Sequence, residues 1–281
     1  KKIFILFVLI LIVGQNLSSQ RLTRKKYKSN VEKFTLLPFM EAVHKDSVRV
    51  VTIMEIPFYA LQFVKDGNGF TASYQASIAI KGKNNQDLGH EIWTDSIKAI
   101  KYVDTKSNMM NRKHFSIHTL PVGEKYQIIA ELQDGDTRKK GVKNKKLDLK
   151  PYTSRPVLIE PLFLMSLQGE WGFDYGKIPT MGFKVREFGD GIELLFTGFI
   201  EKDPFDINIY LSNGSSGDTL IHNFSRQDVD GYFNEEIFIS SDQLNALKNN
   251  FKIVLTQNEI TEIKTISFSI YKPGISNYVY D

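Results

Sequence analysis

The stretch Phe70-Thr-Ala-Ser-Tyr-Gln-Ala-Ser-Ile-Ala-Ile80 alternates between apolar and small polar side chains. Successive side chains of a β-strand point to opposite faces, so this stretch has one apolar face and one polar face. The apolar face consists of Phe70, Ala72, Tyr74, Ala76, Ile78 and Ile80. Such a pattern is typical of an antiparallel strand at the surface of a sandwich, with its apolar face toward the core.

The same period of two recurs on both sides of this strand. Tyr126, Ile128, Ala130 and Leu132 alternate after the turn residues Pro121-Val-Gly123, and the polar segment 81–89 fits a hairpin connection. Further short strands are predicted at 48–56, 91–97 and 114–120. Apolar spacings of three and four are not sustained anywhere in this region, so we expect few helices.

A boundary is predicted at 150–156, where Pro151 and Pro156 each favour extended geometry in the preceding residue. Beyond it, a capping-box pattern at Ser240 and Gln243 predicts one short helix from Ser241 to Asn249. Strands are predicted at 192–200, 207–211, 232–239, 251–255 and 263–271. The expected fold is all-β, with two related, consecutive immunoglobulin-like or fibronectin-like antiparallel β-sandwich domains at 45–150 and 156–273.

The N-terminus has the features of a secretory signal peptide. Lys1 and Lys2 precede an unbroken apolar run from Ile3 to Val13, and small residues follow at Ser18 and Ser19. A membrane-spanning helix needs about 20 apolar residues, so this run is too short to be a stable anchor. We expect a signal peptide at 1–19, cleavage that leaves Gln20 at the N-terminus, and no transmembrane span in the mature chain.

Residues 20–44 are predicted to form a basic linker that docks locally through a small apolar cluster. Seven of the 36 basic residues lie within 1–28, which leaves 29 against 32 acidic residues in the rest of the chain. A slightly acidic body argues against nucleic acid as a partner. Cysteine is absent, so disulfides and thiol chemistry are excluded. Its absence favours a bacterial periplasm or cell surface over a eukaryotic secretory route.

No catalytic or metal-binding constellation emerges from the residue spacings. His114 and His118 share a predicted strand, about 13 Å apart, too far to bind one ion, and we expect both to face solvent. Asp228 and Asp230 resemble a calcium loop, but the ligand positions expected at Arg226 and Ile237 do not carry carboxylates. We therefore predict that the protein is not an enzyme and needs no cofactor or metal.

Two segments are candidate binding sites. The first is a basic segment, predicted to be an exposed hairpin loop, that would bind lipid headgroups, acidic polysaccharide or an acidic partner domain through Arg138, Lys139, Lys140, Lys143, Lys145 and Lys146. The second is an aromatic platform for glycans at Trp171, Phe173 and Tyr175, which share one parity. The alternative for these aromatic residues is a strand that faces the core or a loop that plugs it.

Two motifs and the signal peptide together carry a family resemblance. The motifs are Ile56-Pro-Phe-Tyr-Ala-Leu-Gln-Phe63 before the alternating strand, and Leu120-Pro-Val-Gly-Glu-Lys-Tyr126 before the next one. With them, residues 45–150 resemble the N-terminal β-sandwich region of secreted Bacteroidetes proteins that contain a GWxTD domain. The naming motif is absent, because Trp93-Thr-Asp95 lacks its glycine and spacing. The resemblance implies an exported, multi-domain, non-enzymatic envelope protein, with 274–281 as a tail or the start of a missing downstream domain.

These features favour an exported, non-catalytic binding or assembly module of a bacterial cell envelope. The expected location is the periplasm, the outer membrane or the cell surface, with an envelope protein or polysaccharide as partner. The alternative is an accessory or glycan-binding region of a secreted enzyme whose catalytic domain lies beyond residue 281.

Overall fold

The computed structural model describes residues 30–108, 110–166, 177–179, 184–186, 191–213, 216–227, 231–245 and 248–271. The predicted signal peptide and the tail at 274–281 lie outside these residues. The strands of the first unit are β1 (Thr35–His44), β2 (Ser47–Pro57), β3 (Val64–Asp66), β4 (Gly69–Lys81), β5 (Asp87–Ala99), β6 (Asn111–Pro121), β7 (Lys125–Asp134) and β8 (Lys140–Asp148).

Two antiparallel sheets of the first unit enclose one core. The first sheet has the order β1-β2-β6; in the second, β4 pairs with β3, β5 and β7, and β7 pairs with β8. The alternation of β4 is confirmed, because Ala72, Tyr74, Ala76, Ile78 and Ile80 are all buried in this core. The buried side chains of β7 follow the same parity. The predicted β-sandwich is therefore observed.

The turn between β6 and β7 carries a fold signature of immunoglobulin-like sandwiches. The Tyr126 hydroxyl donates a hydrogen bond of 2.9 Å to the backbone oxygen of Pro121, five residues upstream. This is the geometry of a tyrosine corner, in which the tyrosine near the start of the sixth core strand bonds back across the turn. The Tyr126 side chain is buried against the core, and burial raises the pKa of its hydroxyl.

Strand β1 lies inside the segment that the sequence assigns to a linker. A 3-10 turn at Val31–Lys33 precedes it, and Val31, Phe34 and Leu36 are buried in the first core. The linker prediction is therefore wrong for residues 30–44. The pattern is obscured because most β1 residues are only partly buried, and because Pro38 lies within the strand. Proline is tolerated there since β1 is the edge strand of its sheet.

The second unit repeats this arrangement. Its strands are β9 (Val157–Leu158), β10 (Leu162–Ser166), β11 (Lys177–Pro179), β12 (Lys184–Arg186), β13 (Gly191–Phe199), β14 (Phe205–Asn213), β15 (Ser216–Arg226), β16 (Tyr232–Ser240), β17 (Asn249–Gln257) and β18 (Ile260–Tyr271). One sheet has the order β11-β10-β13-β16 and the other β12-β18-β17-β14-β15. Strands β10, β13 and β16 thus correspond to β1, β2 and β6.

Buried polar residues show that the two units are built alike. Strand β7 places Tyr126 at its start and Asp134 at its end, and β17 places Asn249 and Gln257 at the same two positions, eight residues apart in each case. Asn249 bonds the backbone nitrogen and oxygen of Asn245, at 2.7 Å each, where Tyr126 makes its corner. The expected relation between the units is thus visible in their strand order and in these paired polar positions.

The short helix predicted from Ser241 to Asn249 is not seen in the residues of this range that the structure describes, 241–245 and 248–249. They contain a 3-10 turn at Ser241–Gln243, and Ser240 makes no capping bond through its side chain. Asn249 already begins β17 and is fully buried. Its amide satisfies the backbone of the preceding loop, which removes the need for helical hydrogen bonds there.

The two units meet at a buried junction. The backbone nitrogen of Ala42 in β1 donates to Thr197 Oγ1 in β13 at 3.0 Å. The Arg155 guanidinium donates to the backbone oxygens of Ile200 (3.1 Å), Gly231 (3.3 Å) and Lys45. Because Lys45 belongs to the first unit and the other two oxygens to the second, one side chain ties both units together. Phe199 of β13 completes the first core.

Candidate functional site

The residues predicted to form a basic loop are divided between a turn and a strand. Arg138 and Lys139 lie in the turn between β7 and β8, whereas Lys140, Lys143, Lys145 and Lys146 lie in β8 itself. The interpretation of 138–146 as a loop is therefore wrong. The strand shows no alternating pattern in the sequence because its two buried positions are Leu147 and Gly141. Glycine contributes no apolar side chain to the pattern.

The lysines of β8 lie at the edge of the sheet. Among the described residues β8 pairs only with β7, which leaves its other edge open. The inner face packs on the turn at Val31–Lys33: a side chain at Gly141 would meet the Val31 backbone at 2.6 Å, and Lys143 Nζ lies 5.3 Å from the Phe34 ring centroid. Lysines on an edge strand prevent it from pairing with another chain.

A polar cluster fills the space between β4, β5 and β6. The Tyr74 hydroxyl lies 2.9 Å from His114 Nε2 and 3.3 Å from Asp95 Oδ2. Arg112 Nε donates to the same Asp95 oxygen at 2.9 Å, and the Trp93 ring stacks on the His114 ring with centroids 4.8 Å apart. Because β5 and β6 are neighbouring edges of the two sheets, this cluster closes one open side of the sandwich.

The environment of the cluster favours the neutral forms of its two titratable rings, Tyr74 and His114. Burial lowers the pKa of His114 to about 4 and raises the pKa of Tyr74, to which the nearby Asp95 carboxylate contributes. His114 is only 7% exposed and stacks on Trp93, so its ring is largely shielded from solvent. The cluster therefore acts as a structural seal. The expectation that His114 faces solvent is wrong.

His118 is also partly buried, which contradicts the same expectation. Its Nε2 lies 2.7 Å from Ser116 Oγ and 3.6 Å from a carboxylate oxygen of Glu91. The ring passes so close to Gly89 that a Cβ there would lie 2.2 Å from the imidazole. Both histidines point between the sheets because β6 pairs with β2 while its inner face meets the edge of β5.

Three loops lie together at one end of the first unit. Strand pairs Phe70–Ala99, Pro57–Asn111 and Tyr74–Asp134 place loops 58–63, 100–108 and 135–139 at this end. We call it the distal end, because the junction with the second unit lies at the opposite end, beside Lys45. End loops are the binding surfaces of many immunoglobulin-like domains.

The distal end exposes a short apolar turn. A 3-10 turn at Tyr102–Lys106 follows β5, and Ile100, Tyr102 and Val103 are 82%, 62% and 68% exposed. The Phe70 ring packs against the turn, with its centroid 5.6 Å from that of Tyr102. After the turn, the Met110 oxygen accepts a hydrogen bond from the Phe58 nitrogen at 2.9 Å. We call Ile100, Tyr102 and Val103 the apolar tip.

The distal end is also basic. Residues 98–106 contain three lysines and one acid, and residues 135–140 contain three basic residues and one acid. The acid of the first segment, Asp104, accepts a hydrogen bond from the backbone nitrogen of Lys101 at 3.3 Å. Burial and the neighbouring Asp134 raise the pKa of the acid in the second segment, Asp136. Basic residues thus outnumber acidic ones in both of these distal segments.

The apolar tip is absent from the residues singled out by sequence reasoning. Its signal was available: three large apolar residues stand in a short connection, beside lysines, where a turn is normally polar. Sequence periodicity does not register it because the segment belongs to no strand.

Two of the predicted sites lie outside the described residues. These are the signal cleavage site at Ser19 and Gln20, and the aromatic platform at Trp171, Phe173 and Tyr175. In the part of the chain that the structure describes, no helix is long and apolar enough to cross a membrane. The same residues contain no group of three or more histidine or acidic side chains placed to hold a metal ion.

Comparisons with known proteins identify no family. No family model and no curated protein matches the chain. A calcium-binding mutant of Bacteroides uniformis β-glucuronidase 2 matches 46% of this chain and 13% of its own, at 11% identity and a TM-score of 0.27. The ICAM-5 D1–D4 ectodomain fragment matches 86% of this chain and 70% of its own, at 9% identity and a TM-score of 0.25.

Escherichia coli α-2-macroglobulin activated by porcine elastase matches 86% of this chain and 22% of its own, at 10% identity and a TM-score of 0.26. The chain thus spans only a small part of the length of the glucuronidase and the macroglobulin. The fold assignment rests on the strand order and the tyrosine corner described above, and similarity at this level transfers no activity or ligand.

Proposed function

We propose that the protein is a non-catalytic binding or assembly module that is exported to a bacterial cell envelope. The junction between the units carries this proposal. Immunoglobulin-like sandwiches commonly serve as binding or assembly modules, and a rigid pair holds its end loops at a fixed distance and angle from whatever follows. Two contacts support such a rigid pair: the hydrogen bond from the Ala42 nitrogen to Thr197 Oγ1, and the hydrogen bonds of the Arg155 guanidinium to backbone oxygens of both units.

The second support is the division of the molecule into a fixed end and an open end. The Arg155 side chain and the Phe199 ring occupy the junction end of the first unit, and Arg155 lies 5.8 Å from the centroid of that ring. The distal end carries only loops, with exposed apolar and basic side chains. A partner in the envelope would bind at such an open end, while the second unit sets its position.

The export part of the proposal is tested by processing and location. We expect the full printed sequence, expressed with a start methionine in a bacterial host, to appear in the periplasmic or envelope fraction as a chain that begins at Gln20. A matched variant with Leu6→Arg and Leu9→Arg breaks the apolar run and should remain unprocessed in the cytoplasm, since charge in the h-region blocks recognition.

Mass analysis of the N-terminus and fractionation measure both outcomes. A soluble cytoplasmic product of the original sequence that retains Lys1 to Val13 would contradict export.

A further inference from the structure

We propose that the apolar tip docks the distal end on an anionic lipid membrane, where Ile100 and Val103 enter the headgroup–acyl boundary. The inference names a lipid surface as the occupant of the distal end, and it rests on the proposed function only for its setting in the envelope.

The shape and exposure of the tip carry the first step. Ile100 and Val103 are 82% and 68% exposed, which is far more than isolated surface aliphatic residues that lie along a sheet. Ile100 lies just before the 3-10 turn and Val103 lies within it, and the turn is held to the neighbouring loop by the hydrogen bond from the Tyr59 nitrogen to the Ser107 oxygen at 3.4 Å. A fluid bilayer accepts exposed aliphatic side chains without a preformed pocket.

The residues between and beside the two aliphatic side chains carry the second step. Tyr102 lies between them, and tyrosine is enriched at the level of the lipid headgroups. The Lys106 Nζ lies 5.6 Å from the centroid of the Tyr102 ring, and Lys101 separates Ile100 from Tyr102. Lysine stems lie along apolar surface while their ammonium groups reach anionic headgroups.

Charge complementarity decides between a membrane and a protein partner. The segment that contains the tip, 98–106, has a net charge of two positives, and so does segment 135–140 at the same end of the unit. The apolar centre of a protein interface is depleted of lysine, whereas an amphipathic membrane surface combines aliphatic residues with lysine. The mixture of Ile100, Lys101, Tyr102 and Val103 within four residues therefore fits an anionic bilayer better than a protein.

Co-sedimentation with lipid vesicles tests the proposal. The chain from Gln20 is mixed with phosphatidylcholine vesicles that contain or lack phosphatidylglycerol, so that the apolar run at Ile3 to Val13 makes no contribution. We expect binding to the phosphatidylglycerol vesicles that weakens with salt, and a loss of about tenfold or more in Ile100→Ser/Val103→Ser. We expect Lys101→Ser/Lys106→Ser to lose about tenfold on the anionic vesicles only.

The matched control is Ile260→Ser/Ile263→Ser, which removes two aliphatic side chains of about half exposure from the second unit. It should bind as the original chain does, and all variants should keep the original unfolding midpoint because the altered residues are exposed. No binding of the original chain to anionic vesicles, or full binding by Ile100→Ser/Val103→Ser, would overturn the proposal. If the chain is exported but does not bind anionic vesicles, only this inference is overturned. If the chain binds vesicles but remains in the cytoplasm, only the export proposal is overturned.

Discussion

Replacement of Asp134 by alanine is expected to lower the free energy of unfolding by about 3 to 4 kcal/mol, among the largest effects of any single substitution in the first unit. The carboxylate is fully buried at the end of β7. It accepts hydrogen bonds from the backbone nitrogens of Gln62 (2.6 Å) and Thr137 (2.7 Å), and from the Thr137 hydroxyl at 2.8 Å. Alanine leaves these donors without an acceptor, so loops 58–63 and 135–139 both lose their hydrogen bonds to the end of β7.

Asp136→Ala is the matched control for this prediction. Asp136 lies two residues away in the same turn but is exposed, and the neighbouring Asp134 contributes to its raised pKa. Its replacement should change the free energy of unfolding by less than about 0.5 kcal/mol. Urea denaturation followed by circular dichroism measures both variants. Equal midpoints for Asp134→Ala and Asp136→Ala would show that the carboxylate does not hold the distal loops.

Acidification from pH 6.5 to 4 is expected to destabilise the protein by up to about 3 kcal/mol through His114. Burial lowers the pKa of this imidazole from 6.5 to about 4 in the folded state. Between these two values the unfolded chain binds more protons than the folded chain, so stability falls as the pH falls. The attraction of Asp95 for the imidazolium and the repulsion of Arg112 partly cancel, and burial decides the direction.

A His114→Gln variant isolates this contribution. It should lose less stability than the original protein over the same pH range, because no imidazole has to be protonated beneath Trp93. His90→Gln is the control, since His90 is exposed on β5 and should leave the pH dependence unchanged. Unfolding midpoints in urea at a series of pH values provide the comparison. A His114→Gln profile parallel to that of the original chain would refute the assignment.

The parts of the fold that were predicted from sequence are those in which a strand has one buried and one exposed face. Strands β4 and β7 are examples, because the alternation from Phe70 to Ile80 and from Tyr126 to Leu132 directly reports which side chains enter the core. A strand loses this signal when both faces are partly covered. Strand β1 is such a case, since most of its residues are partly buried and it also contacts β13 of the second unit.

The polar contacts could not be predicted because they join residues that are distant along the chain. Tyr74 and His114 are 40 residues apart, and Arg155 and Lys45 are 110 apart. The sequence around His114 does not predict that Trp93 stacks on it or that Asp95 contacts Tyr74. The sequence shows the basic segment that contains the lysines of β8, but the prediction that this segment is a loop is wrong. Charge predicts solvent exposure and does not distinguish an edge strand from a loop.

We propose that the two sandwiches form one rigid module, and a distance measurement between spin labels tests this rigidity. The chain contains no cysteine, so labels can be placed at Val142→Cys in the first unit and Ile263→Cys in the second, both exposed. Double electron–electron resonance should give one narrow distance distribution, as narrow as that of Val142→Cys with Ile92→Cys within the first unit. Arg155→Ala should broaden only the distribution between units. A distribution between units that is already broad in the original chain, and unchanged by Arg155→Ala, would show that the two units are not held rigidly together.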